Sequence, residues 1–399
     1  MRIRGVRTVV YEYPTRRPVG DVHLPAGARR MADLAVIVST DEDVDGVAIA
    51  PVGARAVIHG LAEELVGRDP REVRGLHEEM LRLTFKGGLE GVTATAVAAL
   101  DTAFWDLRAK GHGVPLWREL GGSRNRVAAY ASGLDMPLGD DELATYYRTM
   151  AERYGFTAGK LKVGRDPDRD LERLRILRDT LRDVTAVARP GLMVDANEFW
   201  SPKQAIARIA ELEQEFDLVW VEEPVRRDDH AGLARVSRGI RAAVATGENL
   251  TSIGQFLGLV RDEAADVVQM SVQATGITTA LRIAEMSDAF GLPVALVNCH
   301  GRYTAHVAAV LPNHSMMEVI DAGRDTVLRS DHRLEGGSIL LGDAPGLGIE
   351  FDEELLAAHT VDRPSAETLG ALYRRADDAW NAEPARAPSR LSGGAADGA

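Results

Sequence analysis

The chain has 399 residues, a formal charge of −13, 45% hydrophobic and 27% charged residues, which is the composition of a globular protein with room for two or three domains, or for one large barrel with an attachment. The acidic balance argues against a nucleic-acid partner, which would need clustered Lys and Arg, and no run approaches the about 20 apolar residues that cross a membrane. The basic start at Met1 to Arg7 is followed by too short an apolar run for a signal-peptide core, and one cysteine, Cys299, allows no intrachain disulfide, so a reducing cytoplasm is the expected location.

In chain order, Leu34 to Thr40, the polar Asp41-Glu42-Asp43 with Gly46, and Val47 to Ala50 predict a hairpin. Gly91 to Gly111 is Ala-rich, places its large apolar side chains on one stripe and ends on glycine, which predicts a helix. Residues 1–125 therefore read as an α+β unit. From Arg126 one pattern recurs: a short apolar or β-branched run ending in polar residues, then an amphipathic stretch such as 170–178 or 204–212. The runs begin with Val127 to Ala131 and then end near Lys160 to Lys162, Asp195, Glu222, Glu248, Ser271, Asn298 to His300, and Glu318. That spacing of roughly 20 to 35 residues is the length of a βα unit, and eight such runs predict an α/β fold, a (β/α) barrel over 126–325. The Pro-, Gly-, Ala- and Ser-rich tail at 381–399 reads as disordered.

In such a barrel the side chains at the C-terminal strand ends converge on one site. Asp195, Glu222 and Glu248, at three successive strand ends, would then point into a shared space and suit one Mg²⁺, a hard octahedral cation held by a few carboxylates. Without a cation they would repel one another and raise each other's pKa. Taken singly, each acid reads equally as a cap for the following helix. Lys160 and Lys162 face the same side of their strand, into the barrel mouth, while Leu161 faces the helices. Two adjacent cations lower each other's pKa, so one can be neutral near pH 7 and act as a base; a solvated or ion-paired lysine pair is the alternative.

These residues, in this order, resemble the enolase superfamily, and within it the mandelate racemase and muconate lactonizing enzyme branch. The resemblance covers about residues 1–360. It rests on Ala103 to Gly111 with Val114 to Trp117 and Leu120-Gly121-Gly122, the Lys-x-Lys strand, the Asp, Glu-Glu-Pro and Gly-Glu strands, and Pro345 to Ile349. It implies a modified TIM-type barrel under an N-terminal α+β capping domain, with 326–380 returning to the cap. It further implies Asp195, Glu222 and Glu248 on an essential Mg²⁺, Lys162 as the base that takes the proton α to a substrate carboxylate, Lys160 supporting that base, and Glu318 near the substrate carboxylate. Family members commonly form dimers or octamers, so a homo-oligomer is expected. The chemistry agrees: an α-proton beside a carboxylate is weakly acidic, and Mg²⁺ plus a lysine offset the charge that develops when it leaves.

The opposite face departs from the family pattern. Racemase-like members carry Asp on the sixth strand and His on the seventh, and lactonizing members carry Lys on the sixth. Here the sixth-strand position falls on Met270 or Ser271, and counting back from His306 puts Asn298 at the seventh. His300 reads as a displaced general acid, a substrate ligand or a structural loop histidine. Arg302 and Tyr303 read as substrate ligands or as a solvated loop tip, and His23 as a substrate contact or an exposed loop histidine. Asn197, Ser271 and Asn298 complete the candidate substrate-binding set. One good base and no clear second base point to elimination, the dehydration of a hydroxylated carboxylic acid such as a sugar acid. A racemase or epimerase is the alternative, and a carboxylate-binding protein without turnover the second. The absence of a sixth-strand lysine counts against a cycloisomerase. Specificity is expected from about Tyr13 to Arg30 and from the loop after the seventh strand.

Overall fold

The protein, seen as a computed structural model, is described over residues 1–297, 302–365 and 368; Asn298, His300 and the tail at 381–399 lie outside the described residues. Among the described residues, no helix is long and apolar enough to cross a membrane.

The cap is an antiparallel sheet of β1 (Ile3–Val19), β2 (Ala28–Thr40) and β3 (Asp45–Ala50), with α1 (Arg55–Leu65), α2 (Val73–Leu83), α3 (Gly91–Gly111) and the short α4 (Leu116–Glu119). The expected hairpin is β2 and β3, paired from Leu34 opposite Ala50 to Ser39 opposite Asp45. The long β1 has no counterpart among the predicted elements. Its run of arginines with Pro14 and Pro18 lacks clean alternation, and it is held as an edge strand by pairing along β2 from Thr40 to Ala28. The segment from Tyr13 to Arg30 is therefore mostly strand, with only residues 20–27 turning between β1 and β2. Nor is α3 buried on one stripe: every residue from Ala96 to Leu107 is buried, because β3 packs on one side and a barrel helix on the other. Alanines let these neighbours approach closely all round the helix axis.

The barrel is eight parallel strands: β4 (Arg126–Ser132), β5 (Ala158–Lys162), β6 (Gly191–Asp195), β7 (Leu218–Glu222), β8 (Ala243–Thr246), β9 (Val267–Met270), β10 (Val294–Leu296) and β11 (His314–Val319). Pairing of β11 with β4, Glu318 opposite Tyr130, closes it. The intervening helices are α5 (Asp140–Tyr154), α6 (Pro167–Thr185), α7 (Pro202–Leu212), α8 (His230–Gly239), α9 (Ile253–Arg261), α10 (Val272–Ala289) and α11 (Ala305–Ala308). Their starts are written locally: Asp166 caps α6 by accepting from Arg169 N at 3.1 Å with Pro167 in the first turn, and Ser201 and Gln204 form a capping box on α7 before Pro202. Tyr130, Met193, Trp220, Ala245, Val267 and Ala295 fill the barrel interior below the strand ends, with Tyr130 edge-on to Trp220 at 5.3 Å.

After β11 the chain adds β12 (Leu328–Ser330), β13 (Arg333–Glu335), β14 (Ser338–Leu340), β15 (Ile349–Phe351) and α12 (Glu353–His359). β14 pairs antiparallel with β4, β12 with β15, and Val361 N donates to Val10 O of the cap at 3.0 Å.

Candidate active site

Parallel pairing in register sets the centre of the site. Lys162 lies opposite Asp195, and Asp195 opposite Glu222, so three adjacent strands end in charged side chains at one level. Glu248 is two residues beyond the end of β8, on the turn that Gly247 begins, and not at the strand end itself. Lys162 Nζ donates to Asp195 Oδ2 at 2.5 Å and to Asn197 Oδ1 at 3.0 Å. Lys160 Nζ bonds Glu222 Oε1, lies 3.3 Å from Asp195 Oδ2 and 2.9 Å from Glu318 Oε1 two strands away, and sits 5.7 Å above the Tyr130 ring. Glu222 also accepts from Gln269 Nε2 at 2.5 Å and Trp220 Nε1 at 3.3 Å. Lys160, Asp195 and Glu222 are almost wholly buried.

The two lysines stand among carboxylates as well as beside each other. Burial works to discharge Lys160, but Glu222 and Glu318 hold it well above its ordinary value; burial likewise opposes Asp195 at Lys162, and Asp195 wins. Carboxylates outnumber the two ammonium groups here, and their attraction opposes the mutual lysine repulsion. Asp195, despite burial, is held low by Lys162 and Lys160, whereas Glu222 is raised by burial and by Asp195, and Glu248 and Glu223 are raised in the same way by burial and neighbouring carboxylates. Among the described residues no three acidic, His or Cys side chains form a ready metal cage; Asp195, Glu222 and Glu318 converge on the Lys160 ammonium instead. The donor set nevertheless fits a hard cation: Asp195 and Glu222 are carboxyl side chains on register partners at adjacent strand ends, and Glu248 on the next turn lines the adjoining cavity.

A cavity of about 280 Å³ opens onto this centre between the cap and the strand ends, lined by Lys162, Asn197, Glu248 and Glu318 from the barrel and by Arg30 and Met31 among others from the cap. Asn197, in the left-handed region with φ 43°, accepts from Lys162 and so belongs to the site. His23 is not an exposed loop residue: its Nε2 contacts Asn197 O at 2.7 Å, and it fastens the cap turn to the loop after β6. Ser271 is buried at the end of β9 and starts α10. Tyr303 is 1% exposed within the hydrophobic core, so it is no solvated tip, and Arg302 lies 3.8 Å from Asp325. Asn298 and His300 fall outside the described residues.

Several residues that shape the site carry no sequence signal on their own. Gln269 orients Glu222, Asn249 Nδ2 donates to Glu223 Oε1 at 2.8 Å, and Asp135 and Arg173 bond the backbone of Lys162 while Tyr147 bonds that of Lys160. Only the folded barrel brings segments this far apart together.

Comparison with known proteins agrees with the fold. Residues 5–121 match the family model described as mandelate racemase / muconate lactonizing enzyme, N-terminal domain, and residues 142–355 the one described as enolase C-terminal domain-like. The chain belongs to the enolase superfamily, in its mandelate racemase and muconate lactonizing enzyme branch. It is 32% identical over 376 residues, covering 90% of this chain and 99% of the relative, to a 3,6-anhydro-alpha-L-galactonate cycloisomerase of Streptomyces coelicolor. It is 29% identical, over 88% of this chain and 90% of the relative, to an L-talarate/galactarate dehydratase of Salmonella typhimurium. Among solved structures, a racemase from Streptomyces coelicolor A3(2) with bound magnesium superposes with a TM-score of 0.83 at 28% identity, over 90% of this chain and 100% of that one. The cycloisomerase among these relatives weakens the sixth-strand argument against that class.

Proposed function

We propose that this member of the superfamily is a magnesium-dependent lyase that removes the proton α to the carboxylate of a hydroxylated, sugar-type acid and expels the β-hydroxyl, giving a keto acid and water. The observation that carries the reading is the placement of Lys162: a lysine on the cavity wall, aimed by Asp195 and Asn197 at the level of the acidic strand ends. Asp195, Glu222 and Glu248 would hold the magnesium ion, which when bound supplies positive charge beside the substrate carboxylate as the α-carbon gives up its proton. Lys162 takes that proton. It is free to do so once the charge of Asp195 is neutralised, because the nearby Lys160 then works to lower its pKa. Lys160 holds Glu222 and Glu318 and keeps positive charge behind the reacting carboxylate. The cap lines the cavity opposite the strand ends with Arg30 and Met31.

A second product is supported by the cycloisomerase relative. If the leaving oxygen remains tethered to the substrate, as in a cyclic ether, the same proton removal and C–O cleavage is an isomerisation. Both readings need one base, and among the described residues the sixth strand offers no second acid or base at its end, only Met270 and Ser271. The test is incubation with Mg²⁺ in D₂O against sugar acids, cyclic ethers of sugar acids, aromatic hydroxy acids and N-substituted amino acids, read by NMR with Lys162→Ala as control. Loss of the α-proton with a keto-acid product is expected. Deuterium uptake with inversion would make the protein a racemase, and no Lys162-dependent change with any compound would overturn catalysis altogether.

A further inference from the structure

The β4–β5 ladder stops before the site: it pairs Ala131 with Gly159 and Ser132 with Lys160, and goes no further. Lys162 therefore has no strand beside it on the β4 side, and its backbone would be left to water or to side chains. A buried cluster fills the gap. Lys162 N donates to Asp135 Oδ1 at 3.0 Å, and Arg173 Nη1 donates to Lys162 O at 2.8 Å. Arg173 Nη2 donates to Asp135 Oδ1 at 2.7 Å and to Asp135 O at 2.8 Å, so one guanidinium locks both the side chain and the backbone of Asp135. Tyr147 OH lies 2.8 Å from Asp135 Oδ2 and 2.5 Å from Lys160 O, sharing its hydrogen between them. We propose that Asp135, clamped by Arg173 and Tyr147, is a positioning residue that sets where the Lys162 ammonium stands in the cavity.

Three features of the chain serve this arrangement. Gly133 lets the Asp135 carboxylate fold back, since a Cβ there would come within 2.4 Å of Asp135 Oδ2, and Leu134 takes a left-handed φ of 46° to complete the turn. Gly159 leaves room for Leu177 and the Tyr147 ring, which would stand 2.9 and 3.0 Å from an added Cβ. The cluster is also costly in the way stability devices rarely are: Asp135, Tyr147 and Arg173 are at most 2% exposed, and burying an ion pair gains little over apolar packing. None of the three lines the cavity, so their route to the chemistry is through Lys162. The same turn carries the cap, since Gly20 N donates to Leu134 O at 2.8 Å and Gly20 bridges to Asp135, which places the clamp between the closing cap and the base.

The proposal rests on Lys162 being the base, and its test separates the two claims. Tyr147→Phe removes two hydrogen bonds without leaving a charge, Arg173→Lys keeps the charge but cannot span Lys162 O and Asp135 together, and Gly159→Ala crowds both Leu177 and the Tyr147 ring. Each is assayed for Lys162-dependent α-proton exchange and for amide deuterium uptake by mass spectrometry. A misplacement near 1 Å predicts a kcat lower by about 100-fold in Arg173→Lys and about 10-fold in Tyr147→Phe, with KM held within about two-fold. Uptake should rise in the peptide spanning 158–163 and stay unchanged in β7. A kcat equal to wild type in all three variants, or uptake rising evenly through the barrel, overturns the positioning role. Should wild-type protein show no Lys162-dependent exchange at all, the proposed function falls, and the clamp is judged by uptake alone: a local rise in β5 upholds it and no change overturns it.

Discussion

Lys162 Nζ stands 2.5 Å from Asp195 Oδ2, its register partner on the neighbouring strand. A cation held by Asp195 must compete with that ammonium. Lys162→Ala is therefore expected to bind Mg²⁺ at least as tightly as wild type by calorimetry, while α-proton exchange falls by about 10² to 10⁴, the usual worth of a positioned base. Affinity weakened more than about ten-fold would assign Lys162 to holding the site together instead.

Gly247 occupies φ 124° and packs so closely that a Cβ would lie 2.5 Å from Gln269 O. It is the residue that turns Glu248 back toward Asp195 after β8 has ended. Gly247→Ala should move Glu248 and lower Mg²⁺ affinity by about ten-fold or more, given strain of about 1 to 3 kcal/mol for a side chain in this region. Affinity equal to wild type would remove Glu248 from the metal set.

Arg16 ties the cap arm to the loop after β11, bonding Asp321 and Asp325 while its backbone N donates to Ala322 O at 3.2 Å. Its side chain is half exposed, so the pairs are worth below about 1 kcal/mol. Arg16→Ala should raise KM by less than about five-fold and leave the rate of exchange at saturation nearly unchanged. A loss confined to kcat in steady-state assays would show that the arm orders the reacting groups.

Asp170 accepts from Gly164 N at 2.8 Å, on the loop that leaves β5, and burial pushes its carboxyl up to about 7. An unfolded Asp titrates near 3.9, so the folded state binds this proton more tightly. The stabilisation is complete below about pH 4 and is lost as pH rises through about 7, at most about 4 kcal/mol in all. Asp170→Asn keeps the acceptor without the charge, and its melting temperature should gain on wild type between about pH 5 and pH 8. Parallel melting curves across that range would show that Asp170 is charged throughout.

Much was legible along the chain because it is local. The hairpin is written in residues that touch their own neighbours, and the strand ends at Lys162, Asp195 and Glu222 are legible because strand period and βα spacing put like positions at one level. β1 was not, since its arginines and prolines carry no alternation and β2 alone holds it extended. Tyr303 sits in the core and His23 fastens a turn for the same kind of reason: burial is set by what folds over a residue.

By itself, then, the sequence determined which acids and lysines face the barrel mouth and in what order. Tertiary structure decided what those residues are. It surrounds the lysines with Glu222, Glu318 and Asp195, carries Glu248 past its strand on Gly247, and backs Lys162 with Asp135 and Arg173 from other segments. A side chain's direction follows from its own backbone, but its charge and its partners follow from the field and the contacts of chain that lies far away in sequence, and those exist only once the barrel has closed.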